Sequence, residues 1–170
     1  MTLQTKVIVS MNALLTGVQD LASAEVPLSL RQALVLADGA GAGMADRIFH
    51  DRRTIAASGS DSLDLAGGLS DPLGVSLSFA RLKVLLVRAA AANVNQVLVG
   101  GAASNAFAAP FGDATDKIKI PPGGTLLLAA GQADATGYAV TASTADLLLI
   151  GNGGAGSSVT YDIVLIGASA

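Results

Sequence analysis

Residues 159–165 read Val-Thr-Tyr-Asp-Ile-Val-Leu, and this stretch decides the fold class. Its apolar side chains recur at every second position, as in a β-strand with one buried face. The same alternation occurs over 75–79 (Val-Ser-Leu-Ser-Phe) and over 117–120 (Lys-Ile-Lys-Ile). Continuous apolar runs at 126–128 and 147–150 suit strands that are covered on both faces. These patterns predict a chain built from strands.

Turn-forming residues separate the apolar runs at a spacing of roughly 8–12 residues, which is typical of a β-sandwich or barrel. Pro121-Pro122-Gly123-Gly124 lies between two such runs and predicts a tight corner. The acidic residues are almost all Asp, which favours turns, and Glu25 is the one Glu. Strands are expected over residues 5–11, 28–36, 47–56, 62–66, 75–79, 82–88, 96–100, 117–120, 125–129, 138–141, 146–150 and 160–166.

We therefore predict an all-β fold, a jelly-roll-like β-sandwich with a less regular N-terminal segment. A length of 170 residues suits a single domain spanning 1–170, in which residues 1–40 serve as an N-terminal arm or interface segment. By composition, residues 11–23 and 42–49 also suit short helices. No stretch has the ~18 uninterrupted apolar residues of a membrane span, so we expect no membrane association.

The balance of apolar and charged residues points to assembly. Hydrophobic residues make up 51% of the chain and charged residues only 14%, against roughly 25% charged in an average soluble domain. Such a surface is expected to be buried against copies of the chain or against partners, which predicts a homo-oligomer. A net charge of −3 argues against nucleic acid as a partner, because binding phosphates needs a basic patch.

Few side chains are available for catalysis. The chain has no Cys and a single His, His50, so we expect no catalytic residue and no enzymatic activity. We expect His50 to occupy a polar strand position, paired with Asp51 or with a backbone carbonyl. The abundance of Ser leaves a Ser-His-Asp triad open by composition, but no G-x-S-x-G motif occurs.

Two further patterns have both a binding and a structural interpretation. Residues 151–156 match G-x-G-x-x-G, but a strand-like segment follows where a dinucleotide site needs a helix. We therefore expect a hairpin loop and no cofactor. Two carboxylate pairs, Asp61 with Asp64 and Asp113 with Asp116, suit either Ca²⁺ binding or turn formation. We expect turns and no metal site, while bound Ca²⁺ stays open.

Eight segments from Ala45 onward form a recognisable set of sequence signatures. They are residues 45–53 (Ala-Asp-Arg-Ile-Phe-His-Asp-Arg-Arg), 64–69 (Asp-Leu-Ala-Gly-Gly-Leu), 79–83 (Phe-Ala-Arg-Leu-Lys), 99–102 (Val-Gly-Gly-Ala), 105–107 (Asn-Ala-Phe), 116–124 (Asp-Lys-Ile-Lys-Ile-Pro-Pro-Gly-Gly), 137–142 (Gly-Tyr-Ala-Val-Thr-Ala) and 159–164 (Val-Thr-Tyr-Asp-Ile-Val). In these segments, about three quarters of the chain resembles a group of small virion proteins encoded by tailed bacteriophages and prophages. The resemblance implies a β-rich structural protein of the particle, without catalytic residues.

These observations lead to the expectation of a capsid decoration, or cement, protein that stabilises the head shell through subunit contacts. Its partners would be the major capsid protein or other virion proteins, and it would be located in the virion after assembly in the host cytoplasm. A tail, fibre-base or adaptor component is the alternative, and a carbohydrate-binding module is a more distant one. The expected interface residues are Val7, Val9 and Met11 on the N-terminal strand, and Arg52 and Arg53.

Overall fold

The computed structural model describes residues 2–170, and in these residues it contains strands and turns but no helix. The same residues accordingly include no helix long and apolar enough to cross a membrane. The strands are β1 (Thr5–Val18), β2 (Ser23–Leu36), β3 (Arg47–Ile55), β4 (Ser60–Asp64), β5 (Leu69–Ser70), β6 (Ser76–Leu77), β7 (Arg81–Ala89), β8 (Val97–Val99), β9 (Ile118–Ile120), β10 (Thr125–Ala129), β11 (Tyr138–Ala139), β12 (Leu147–Asn152) and β13 (Val159–Ala168).

Two antiparallel sheets form a sandwich. The first, which we call the main sheet, has the order β10-β7-β13-β3, with β11 pairing the start of β7. The second has the order β4-β12-β8-β9, and β5 and β6 form a separate small ribbon. The prediction of an all-β sandwich is confirmed, whereas a jelly-roll connectivity stays a prediction.

Strand β13 is central to the main sheet, between β3 and β7. The alternation that predicted this strand is confirmed, since Tyr161, Ile163 and Leu165 are buried on one side. They pack in one cluster with buried residues of the second sheet, such as Leu148 and Ile150. The main sheet therefore has an inner face in the core and an outer face away from it.

Two glycine-rich segments carry the chain between the sheets. Pro121-Pro122-Gly123-Gly124 links β9 to β10 as a tight turn, in which Gly123 has a φ of 75° and Gly124 N–H donates to the Pro121 carbonyl at 2.8 Å. The expected tight corner is confirmed. Residues 151–156 cover the end of β12 and the start of the turn that leads to β13, and these two strands belong to different sheets. The expected hairpin loop is therefore wrong, although a strand does follow.

A β-bulge lies where β7 meets the end of β13. Ile166 pairs with Val84 but Gly167 pairs with Leu82, which leaves Lys83 as the extra residue. Lys83 is buried, and its ammonium donates to the carbonyl of Asp134. Burial lowers the pKa of this amine. A Cβ at Gly167 would lie 2.1 Å from the Arg81 carbonyl oxygen, so the bulge requires glycine at that position.

The expectation of a less regular N-terminal segment is wrong. Strands β1 and β2 form a long antiparallel hairpin, which we call the arm, paired without interruption from Thr5–Leu36 to Val18–Ser23. The short helix that residues 11–23 suit by composition does not form, because ladder pairing with β2 outweighs the helix propensity of Ala13-Leu14-Leu15.

The short helix that residues 42–49 suit by composition does not form either. This segment closes a turn in which Ala37 N–H donates to the Gly43 carbonyl at 2.9 Å, and Gly43 has a φ of 64°. A short bridge pairs Ala37 with Met44, and β3 begins three residues later at Arg47. The left-handed glycine interrupts any helix there.

Candidate functional site

The arm has one apolar face and one mixed face, which we call the polar face because it carries most of the polar residues of the arm, although Ile8, Leu14 and Val35 also lie on it. Residues directly opposite each other in an antiparallel pair lie on the same face of the ribbon. On the polar face the Ser29 hydroxyl donates to Asn12 Oδ1 at 3.0 Å, and Thr16 pairs with Glu25. The apolar face carries the pairs Val7–Leu34, Val9–Gln32, Met11–Leu30, Ala13–Leu28 and Leu15–Val26.

Within residues 2–170, only the base of the apolar face is covered. Leu34 and Leu36 are buried against Val84 and Ile166 on the outer face of the main sheet. Between residues 8 and 33, by contrast, every residue is exposed except the half-buried Ala24. The exposed fraction is 55% for Met11 and 71% for Leu15. The arm therefore extends an apolar face into solvent from a packed base.

The predicted interface residues of the first strand all lie on this apolar face. Val7 is half-buried and packs with the base, whereas Val9 and Met11 are exposed beyond it. Val26, Leu28 and Leu30 of β2 complete this surface and were not among the predicted interface residues. Cross-strand pairing is what brings the two apolar sets together.

A shallow groove of about 830 Å³ occupies the rest of the outer face of the main sheet. The groove begins at the next outward-facing residue beyond those that contact the arm base. On β7 this residue is Leu86, two positions after Val84, and on β3 it is His50, two positions after Ile48. Its lining is His50, Asp51, Arg52, Leu86, Arg88, Thr125, Asp162, Ile163 and Val164.

Two arginines share one carboxylate in this groove. Arg52 Nε donates to Asp162 Oδ1 at 2.6 Å, and Arg88 Nε donates to Asp162 Oδ2 at 3.0 Å. These hydrogen bonds, chiefly the one from Arg52, lower the pKa of Asp162 to about 2. The Asp162 side chain is 22% exposed while that of Arg52 is 70% exposed. Arg52, Arg88 and Asp162 together therefore carry a net positive charge, and the arginines are the part exposed to water.

Arg53 lies on the opposite face of β3 from Arg52, because neighbouring strand residues point to opposite sides. Its guanidinium donates to Asp51 at 2.9 Å and to Asp61 at 3.0 Å, and lies 5.6 Å from the centre of the Phe49 ring. Tyr161 also donates to Asp61, at 2.7 Å. Arg53 therefore holds the two sheets together at this edge of the sandwich, and Arg52 is the more exposed of the two predicted interface arginines.

Tyr161 itself is fully buried, and burial together with Asp61 raises the pKa of its phenol well above the usual value. Tyr138 is half-buried. The chain has no Trp. Because Tyr161 is buried and Tyr138 half-buried, neither tyrosine offers the open aromatic face on which sugar rings stack.

His50 is exposed in the groove and is not paired with Asp51. The Asp51 carboxylate instead accepts from the Arg52 backbone N–H at 2.8 Å and from Arg53 Nε at 2.9 Å. The expected polar strand position of His50 is confirmed, but its expected pairing with Asp51 is wrong, because the two side chains point to opposite faces of β3.

The carboxylate pairs serve structural roles. Asp113 accepts from the Thr115 N–H and hydroxyl, and Asp116 accepts from the Asp113 N–H at 2.8 Å, as in a turn. Asp61 is engaged by Arg53 and Tyr161. Over residues 2–170, no three metal-ligating His, Cys, Asp or Glu side chains cluster in a way that could hold an ion.

Arg88 and Asp162 belong to the surface cluster but were not among the predicted site residues. Asp162 is separated from Arg52 by 110 residues and from Arg88 by 74, and only the register of β13 with its two neighbours brings them together. The alternation of apolar residues along β13 places Asp162 on the face opposite the buried one. This position was the one signal in the sequence that Asp162 belongs to an exposed surface.

Comparison with known proteins identifies no relative: no protein-family model matches the chain, and no curated protein or solved structure matches it either.

Proposed function

We propose that this chain is a structural protein of a tailed-bacteriophage virion, and specifically a decoration protein that binds the outside of the head shell. The resemblance described above supports this role, and every segment that carries it falls in the sandwich rather than in the arm. The sandwich would then be the common scaffold, and the arm would be the element that makes this chain's own contacts.

The uncovered apolar face of the arm carries the proposal. Beyond Val9 the arm extends for nine more residues of β1, or about 30 Å, and is about 10 Å wide, which gives about 300 Å² on one face. An exposed apolar patch of a few hundred Å² on a soluble protein commonly marks an interaction site. In a shell of many copies, neighbouring subunits would cover each arm.

The mechanism is passive binding. Covering about 300 Å² of apolar surface contributes about 7 kcal/mol at about 25 cal/mol per Å². Association costs about 4–15 kcal/mol in lost motional freedom, so one arm alone binds weakly. Many arms held in one lattice bind together, because each further contact forms within an assembly that already exists. A protein of this design reinforces a shell without any chemical step.

The test is the number of copies in purified particles and their dependence on the arm. A shortened-arm variant lacks residues 10–17 and 24–31, which joins Val9 to Val18 and Ser23 to Gln32. Removing eight residues from each strand preserves the native turn and the alternation of faces. We expect the full chain to saturate undecorated shells in a fixed ratio to the capsid subunits, and the shortened chain to leave them bare.

Quantitative mass spectrometry of the particles decides the location. Hundreds of copies per virion support head decoration. A copy number in the range of a tail ring or a fibre base contradicts it and favours the tail or adaptor alternative. Absence from particles contradicts both virion roles.

A further inference from the structure

The arm is a two-stranded ribbon with two free edges. Over residues 2–170, β1 pairs only with β2, and β2 only with β1. A lone two-stranded ribbon is marginally stable in water, and three or more strands with an apolar face are needed for independent stability. A free strand edge also presents a row of unpaired N–H and C=O groups, which readily pairs with another chain. The arm therefore lacks neighbouring strands as well as a cover for its apolar face.

The turn at the tip of the arm fixes which backbone groups face these edges. Gln19 N–H donates to the Ala22 carbonyl at 2.8 Å, so this pair is hydrogen-bonded across the ribbon. Hydrogen-bonded and non-hydrogen-bonded pairs alternate along an antiparallel ladder. Counted back from the turn, the even-numbered residues of β1 and the odd-numbered residues of β2 direct their N–H and C=O groups outward. Pro27 fits this assignment, because it lies opposite Leu14 at a position where the ribbon needs no N–H.

The two edges differ in how well they can accept another strand. On β2, Pro27 removes an outward N–H near the middle of the edge, and the charged residues Glu25 and Arg31 lie on either side of it. Proline and charged side chains are devices by which natural sheets block their edges. On β1, no proline or charged residue occurs between Ile8 and Val18. The β1 edge is thus the open one.

A second copy of β1 matches the open edge when the two strands run antiparallel. The outward backbone groups then pair only if even-numbered residues lie opposite even-numbered ones, which also keeps the apolar faces of both arms on one side. One of these registers places Met11 opposite Met11 of the second copy. Its other apolar-face pairs are Val9 with Ala13 and Val7 with Leu15. Each apolar side chain thereby meets another.

The polar face selects the same register. Ser10 then lies opposite Asn12, and Ile8 lies opposite Leu14, so that polar meets polar and apolar meets apolar. Moving the two-fold axis by one residue would place Leu14 against Ser10, or Ile8 against Asn12. Matched cross-strand pairs stabilise a sheet. The polar-face pairs stay in water and select the register, while the apolar-face pairs and the backbone ladder provide most of the affinity.

We propose that two copies of this chain pair through the outer edges of their β1 strands, about a two-fold axis at Met11. The pairing forms a four-stranded antiparallel sheet in the order β2-β1-β1-β2. Because both copies use the same patch, the contact closes at a dimer.

The pairing also enlarges the surface that the arm offers to a partner. One arm presents about 300 Å², well short of the ~800 Å² per partner of a specific interface. Two arms side by side present about 600 Å² of continuous apolar face, which comes close to that area. The inference rests on the proposed function, since it names the unit whose apolar face the head shell would cover.

Proline substitutions at two matched positions test the edge. Asn12 and Ser29 lie opposite each other, both direct their N–H outward, and either substitution removes the same Ser29–Asn12 hydrogen bond. Asn12→Pro should weaken dimerisation at least about tenfold, because it removes an N–H from the β1 edge at two places in the dimer. Ser29→Pro, on the edge that Pro27 already blocks, should change it less than about twofold.

Sedimentation velocity measures dimerisation of both variants and of the wild type, and circular dichroism checks that each variant is folded. Equal effects of the two substitutions overturn the inference. A wild-type chain that stays monomeric at ~100 μM also overturns it.

Introduced thiols test the position of the two-fold axis. The chain has no Cys, so each introduced thiol is unique. Under mild oxidation Met11→Cys should form a disulfide-linked dimer, because opposite Cα atoms of a non-hydrogen-bonded pair lie about 4.5 Å apart. Leu30→Cys is the control, since Leu30 is equally exposed on the same face but its two copies would lie three strand spacings, about 14 Å, apart. Met11→Cys should cross-link at least about tenfold faster. Equal rates would indicate arms packed face to face and contradict edge pairing.

The two proposals fail separately. A chain that decorates shells but stays monomeric in solution overturns edge pairing and leaves the decoration role in place. A chain that dimerises through β1 but is missing from particles supports the pairing and contradicts the virion role.

Discussion

Met11 and Leu30 lie directly opposite each other on the arm, and each has 55% of its surface exposed. A cross-strand apolar pair normally lies against a core, as Val7 and Leu34 do at the base of the same ribbon. Beyond the base, nothing in residues 2–170 covers the face. The chain thus maintains a regular apolar strand pattern whose burial requires another molecule.

The two faces of the arm should respond differently to the same substitution. Leu15 on the apolar face and Leu14 on the polar face are neighbours with similar exposure, 71% and 59%. Leu15→Asp places a charge in the contact and should weaken self-association at least about tenfold, while Leu14→Asp should change it less than about twofold. Sedimentation velocity measures both. An equal effect of the two changes would show that the faces do not differ in function.

Asp162 should make stability depend on pH at low pH. Its pKa in the folded state is about 2, below the ~3.9 of an unfolded chain, so its contribution is complete above pH ~4 and is lost as pH falls through about 2. Both arginines face water, so Asp162→Asn should lower the free energy of unfolding at pH 7 by only about 1 kcal/mol.

Urea unfolding of the wild type and of Asp162→Asn at pH 7, 4 and 2 measures this effect. The difference between the two proteins should persist at pH 4 and disappear toward pH 2. A difference that is unchanged at pH 2 would mean that the carboxylate does not act through its charge.

Gly167 should not tolerate a side chain. A methyl group there would meet the Arg81 carbonyl oxygen at 2.1 Å and the Phe79 ring at 2.9 Å, so Gly167→Ala should cost about 3 kcal/mol or more. Gly131→Ala is the matched control, since nothing lies within 4 Å of its added Cβ. Thermal unfolding should separate the two variants clearly. Similar melting temperatures would mean that the bulge can relax.

Asn152 should be far more sensitive to substitution than the exposed Asn12. Its side-chain nitrogen donates to the carbonyls of Ala56 at 3.1 Å and Ser157 at 2.8 Å, and its oxygen accepts from Gly154 N–H at 3.1 Å. Asn152→Ala should lower the free energy of unfolding by about 3 kcal/mol, because these buried groups lose their partners. Asn12→Ala, on the exposed arm, should change it by less than about 0.5 kcal/mol. Denaturant unfolding measures both, and equal losses would contradict a special role for Asn152.

The strands of the sandwich could be predicted because their sequence pattern is local. Tyr161, Ile163 and Leu165 alternate along β13, and burial on one face requires that period. The far part of the arm was missed because its strand state depends on pairing between distant positions. Ala13, Leu14 and Leu15 suit a helix taken alone, and only their partners Leu28, Pro27 and Val26 make them a strand.

The candidate site was predictable on the arm and only half predictable on the sheet. Val9 and Met11 show their apolar period in sequence. Arg52 and Arg53 were selected together as adjacent charges, but the pleat of β3 sends one to the groove and the other to the sandwich edge. Their carboxylate partners come from other strands, and sequence spacing does not encode the register that selects them.

Oxidation footprinting of the methionines tests most directly whether other molecules cover the arm. Met11 lies on its apolar face, and Met44, 39% exposed at the turn before β3, is an internal control. Between dilute solution and assembling concentration, the oxidation rate of Met11 should fall about tenfold or more while that of Met44 stays constant. A Met11 that oxidises equally fast in both states would contradict the claim that the arm is an assembly element.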